Sequence, residues 1–104
     1  MYQELPDNAT KVQYEALLNE TIDIFKKRLM QDDDEISKEI LLQLMDIKEY
    51  IVDERLLTDE DEIDERYNIG AIATKVFEED PDMESRLCDI FSGAIDYASM
   101  PDNN

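Results

Sequence analysis

The side chains that could do chemistry in this chain are nearly all carboxylates. Asp59-Glu60-Asp61-Glu62, with Asp64 and Glu65 just behind, form the densest group, and Asp32-Asp33-Asp34-Glu35 form a second. With no His and a single Cys, the sequence can assemble neither a His/Cys zinc site nor a Cys–His nucleophile pair. Oxygen alone would have to hold any metal, and neither acidic run has the central Gly and closing Glu of an EF-hand loop. Gly70 and Gly93 stand singly in helical stretches and make no phosphate cradle; close helix contact is their expected use. What carboxylates at this density can do without a metal is present negative charge to a partner.

The whole composition points the same way. Against 28 Asp and Glu stand 10 Lys and Arg, a formal net charge of -18 over 104 residues. Self-repulsion on that scale opposes compaction, and the same field draws in a positive partner. Phosphate backbones and anionic lipid would be repelled, so neither direct nucleic-acid binding nor membrane binding is expected. A rigid scaffold displaying these acids suits the basic groove of a nuclease or other nucleic-acid-binding protein, where carboxylates stand in for phosphate charge. The expected partner is therefore a basic protein. Asp59, Glu60, Asp61, Glu62, Asp64 and Glu65 are the first candidate contacts, and Asp32, Asp33, Asp34 and Glu35 the second. Neither a catalytic residue nor a cofactor is expected. In size, acidity and helicity the chain resembles the small immunity proteins of bacterial toxins and phage-encoded inhibitors of host defence, which implies neutralisation by binding.

One pattern supports a different chemistry. Glu62-x-x-Glu65 followed by Glu79-x-x-Asp82 resembles the metal-binding signature of the all-α nucleotide pyrophosphohydrolases of the MazG type. That resemblance implies an alternative in which Glu62, Glu65, Glu79 and Asp82 hold magnesium against the phosphates of a nucleotide. Pro81 places a helix break inside the second pair. A non-catalytic regulatory or scaffold bundle, with a homodimer formed on the broad face of the second helix, is the third reading.

The elements that must position these acids are helical. Apolar residues make up 42% of the chain and recur throughout, which predicts a folded domain rather than disorder. After an extended lead over 1–8, Thr10-Lys11-Val12-Gln13 has the form of a capping box opening a helix over about 10–30, with Tyr14, Leu18, Ile22, Phe25 and Leu29 on one stripe. Asp33 or Asp34 caps a second helix over about 35–57, whose stripe is Ile36, Ile40, Leu44, Ile47 and Ile51, widened by Leu41, Met45, Val52 and Leu56. The hydroxyl of Thr58 is the expected cap of a third helix over about 59–79, carried by Ile63, Ile69, Ala73, Val76 and Phe77. Asp80-Pro81 opens a fourth over about 81–99, with Met83, Leu87, Ile90, Ala94 and Tyr97 inward, before a frayed tail over 100–104. Short connections between the four predict an all-α, single-domain four-helix bundle over 1–104. Tyr2, Tyr50 and Tyr67 are candidates for a partner-facing rim. Apolar runs of two or three residues fall far short of a membrane span, and the opening residues lack the basic and apolar regions of a secretion signal. With no disulfide possible for the lone Cys88, a cytoplasmic location is expected.

Overall fold

Most helices of this chain begin where a side chain can satisfy the first free backbone N–H groups. The computed structural model describes residues 2–102. In it, α1 (Lys11–Gln31) opens on the full capping box: the Gln13 amide donates to Thr10 Oγ1 at 3.2 Å, and the Thr10 amide donates to Gln13 Oε1 at 2.9 Å. Asp34 caps α2 (Glu35–Ile47) by accepting the amides of Ile36 and Ser37. Asp59 caps α3 (Glu60–Arg66), and Asp80 caps α5 (Pro81–Asp96), where Pro81 occupies a first-turn position whose N–H would be unbonded anyway. Between them, α4 (Ile69–Val76) starts at Asn68 with no side-chain cap. A π-helical stretch, Lys48–Asp53, prolongs α2, and a 3-10 turn, Tyr97–Ser99, prolongs α5. The fold is all-α, with no strand among the described residues.

The structure revises the helix boundaries in three places, each for a tertiary or stereochemical reason. The third helix, expected unbroken over 59–79, divides into α3 and α4 at Tyr67-Asn68, so there are five α-helices among the described residues. Gln43 causes the break: its Nε2 donates to Asn68 Oδ1 and its Oε1 accepts the Asn68 amide at 2.9 Å, replacing the intrahelical bond. The second helix, expected to reach 57, ends at Asp53. Its π-helical end turns back through Arg55 at φ 53°, and the amides of Leu56 and Leu57 both donate to the Tyr50 carbonyl. Third, the cap of α3 is Asp59, not Thr58; its carboxylate accepts the Glu62 amide at 3.1 Å, and a charged acceptor at a helix N-terminus outcompetes a hydroxyl.

The lead and the tail are tied down as far as they are described. Tyr2 Oη and the Leu5 amide both donate to Asp89 of α5. Lys11 donates through its amide to Pro101 O at 2.8 Å and through Nζ to Met100 O at 2.6 Å, which holds the start of the tail against α1. Met1 and tail residues 103 and 104 lie outside the described residues.

The core forms where the helical stripes meet. Tyr14, Leu18, Ile22 and Phe25 of α1 are buried with Ile40, Leu44 and Ile47 of α2, and with Leu87, Ile90 and Ala94 of α5. Ile63 of α3 and Ile69 and Ala73 of α4 complete it. In packing terms α1 lies on α2 and α5, while α3 and α4 lie on α5. Two helical hairpins result, α1/α2 and α4/α5, meeting most closely through α1 and α5.

Candidate protein-binding surface

Every carboxylate of the first predicted group is exposed: Asp59, Glu60, Asp61, Glu62, Asp64 and Glu65 all stand at the surface of α3, whose one buried side chain is Ile63. The acids of the first turn sit at the positive end of the helix dipole, which favours them. Asp64 and Glu65 lie at the other end and gain nothing from it. None of the six forms an ion pair among the described residues. The nearest cation in sequence, Arg66, is turned away to Asp46, with Nε 2.7 Å from Oδ2 and Nη2 3.1 Å from Oδ1. Tyr67 Oη donates to the same carboxylate. The Arg66 guanidinium holds the Asp46 carboxyl below its ordinary range, and the Tyr67 hydrogen bond adds to this.

The second predicted group is more occupied with local structure. Asp34 is a helix cap that also accepts the Ser37 hydroxyl at 2.8 Å; that bond leads in lowering its pKa. Asp33 lies 2.7 Å and Glu35 3.5 Å from the ammonium of Lys38. Asp32 ends α1 by donating its amide to Arg28 O. The two groups are not gathered into one cluster: α2 separates them, with the second group at its start and Asp46, the partner of Arg66, near its end.

Between them lies an apolar groove. Because α2 packs on α1 and α4 on α5, the facing sides of α2 and α4 do not close on each other. Ile36, Ala71, Ile72 and Val76 line the opening, with Glu35, Glu39 and Lys75 as its charged lining, and the cavity volume is about 360 Å³. The Gln43–Asn68 hydrogen bonds join α2 to the start of α4, where Asn68 forms part of the wall. Ile36 and Val76, expected on inner stripes, are 41% and 44% exposed here.

The tyrosines expected on a rim are mostly engaged elsewhere. Tyr67 is buried, Tyr2 is bound to Asp89 with the Arg86 guanidinium 4.8 Å from its ring centroid, and only half-buried Tyr50 remains near the acids, its ring centroid 5.1 Å from Arg66. Gly70 and Gly93 are close-contact positions, against Phe91 and Tyr14. For the metal alternative, Glu62 and Glu65 are on α3, Glu79 precedes the Asp80 cap, and Asp82 is on α5. No three Asp, Glu or Cys among the described residues converge in a geometry that could hold a metal ion. Cys88 is half-buried, and burial pushes its thiol pKa up, away from nucleophilic reactivity. No helix among the described residues is long and apolar enough to cross a membrane.

Sequence reasoning missed the Asp46–Arg66–Tyr67 cluster and the groove. The residues expected to widen the second helix's apolar face, Leu41, Met45, Val52 and Leu56, do not line the groove, and Met45 and Leu56 are exposed instead of inward.

Comparison with known proteins gives one family. The model of the Tsi6 family matches residues 13–96, which takes in all five α-helices save the first two residues of α1. No curated protein and no solved structure matches the chain.

Proposed function

The chain belongs to the Tsi6 family, and from that membership we propose that it is the immunity protein of a type VI secretion toxin. It neutralises the toxin by covering a basic surface, without chemistry of its own and without a cofactor. The observation that carries the electrostatic part is the state of α3, where six exposed carboxylates stand within seven residues and none is ion-paired among the described residues. A folding domain has no use for that repulsion. Apposed to Lys and Arg of a partner it becomes attraction, which speeds encounter and sets orientation.

In this reading Asp59, Glu60, Asp61, Glu62, Asp64 and Glu65 make the first contacts and Asp32, Asp33, Asp34 and Glu35 the second. The toxin is basic at the surface it presents, as a nuclease or other nucleic-acid-binding enzyme is. Neutralisation takes place in the cytoplasm. Steering by α3 acts at long range, and a separate short-range surface must then slow dissociation, because exposed ion pairs contribute at most about 1 kcal/mol each.

The test is co-expression of the chain with each type VI effector of its source cell, scored by growth, followed by association kinetics on the effector it rescues. The expected result is rescue of one effector by the native chain, an association rate falling about tenfold or more between about 0.05 and 0.5 M salt, and a slower, less salt-dependent association in the Asp61→Lys/Asp64→Lys variant. Failure to rescue any effector overturns the immunity reading. Rescue with a salt-independent rate overturns the electrostatic one.

A further inference from the structure

Two apolar side chains that helical periodicity assigns to inner stripes, Ile36 and Val76, stand 41% and 44% exposed, and both line the groove between α2 and α4. With Ile72 they form an unfilled apolar face. The groove follows α2 from Glu35 to the Gln43–Asn68 hydrogen bonds, about two helical turns or roughly 12 Å. That length suits two to three turns of a partner helix. Acids stand at both ends: Asp32 and Asp33 lie just before Glu35, where Lys38 offsets part of the charge by pairing with Asp33 and Glu35, and α3 ends two residues before Asn68. Glu35 and Glu39 line the groove against a single cation, Lys75.

We propose that this groove receives an amphipathic helical segment of the toxin, apolar at i, i+3 or i+4, and i+7, and flanked by Lys or Arg. The inference rests on the immunity reading above and supplies the short-range surface that reading requires. Charge decides between occupants. A second copy of this chain would bring its own net charge of -18 to a site already ringed with acids, whereas a cation-flanked helix neutralises both ends as its apolar face displaces water from Ile36, Ile72 and Val76. Division of labour follows: α3 governs how fast the toxin arrives, and the groove governs how long it stays.

The toxin rescued in co-expression is the probe. Two double variants are measured, Ile36→Asp/Val76→Asp and the milder Ile36→Ser/Val76→Ser, with thermal melting to establish that each remains folded. The expected result is a Kd raised about 30-fold or more by the Asp pair and about tenfold by the Ser pair, chiefly through faster dissociation, with the association rate changed less than about threefold. Amide exchange of the native complex should show protection over 35–43 and 69–76. If the toxin binds but both variants keep Kd within about threefold and those amides stay unprotected, the groove proposal is wrong while the immunity reading stands. If no toxin is rescued, both fall. Sedimentation that finds a native dimer at about 0.1 mM, dissolved by the Asp pair, assigns the groove to a second copy and overturns the proposal.

Discussion

Tyr14 and Gly93 occupy one another's space. The Tyr14 ring, fully buried, lies across Gly93 of α5 so closely that a Cβ built there would meet Cε1 at 2.4 Å and Cδ1 at 2.6 Å, while its hydroxyl donates to Ile90 O at 2.7 Å. One tyrosine thus fastens α1 to α5 by packing on a helix surface that only glycine leaves open, and by a hydrogen bond to that same helix.

Gly93→Ala is therefore expected to destabilise, although alanine is the better helix former by about 1 kcal/mol. The ring cannot withdraw without leaving the core and breaking its bond to Ile90, so overpacking costs about 2–3 kcal/mol and wins. Gly70→Ala is the control: its Cβ would stand 3.2 Å from Cδ2 of Phe91, a half-buried ring that need yield only a few tenths of an ångström. Urea unfolding should place Gly93→Ala well below the native midpoint and Gly70→Ala at or slightly above it.

The bond between Asp46 and Arg66 ties α2 to α3, and it should be read out by pH. Asp46 is held below its ordinary pKa in the folded state by Arg66 first and Tyr67 second, so its contribution is complete above the unfolded value of about 4 and is lost as pH falls through the folded value. Asp46 is 28% exposed and Arg66 46%, which limits the contribution to about 1 kcal/mol. Asp46→Asn should be less stable than the native protein by that amount at neutral pH, and the difference should shrink below about pH 4. A difference that persists unchanged in acid would mean that packing, not charge, is what Asp46 supplies.

Charge at the end of α3 sets stability against binding. Asp64 and Glu65 repel their neighbours and sit at the negative end of the helix dipole, so Asp64→Asn/Glu65→Gln should raise stability by about 0.5–1 kcal/mol at low ionic strength. The same variant should lower the association rate with the toxin. Gains in melting temperature with no loss in that rate would show that these two acids do not face the partner.

Several elements could be read locally because local chemistry makes them. The Thr10 capping box, the aspartate cap at Asp33 or Asp34 and Asp80-Pro81 each satisfy backbone groups with side chains two or three residues away; the first and third stand as expected, and Asp34 is the one that caps α2. The inner stripe of α5, Met83 to Tyr97, is buried throughout for the same reason: period 3.6 is a property of the segment itself. The break between α3 and α4 was not legible, since Gln43 makes it from 25 residues away. Nor was the π-helical end of α2, which keeps an apolar pattern a continuous α-helix would also show.

The amino-acid sequence by itself determined an all-helical chain, its principal caps, most of its core and the exposure of its acids, because each follows from spacing, capping and the cost of burying unpaired charge. Tertiary structure alone decided which apolar residues remain uncovered. Ile36 and Val76 carry the same periodic signal as Ile40 and Ala73, yet the former pair borders a groove and the latter is buried. The difference arises because α2 rests on α1 and α4 on α5, leaving the space between α2 and α4 unfilled, and that choice of neighbours is written in no single helix.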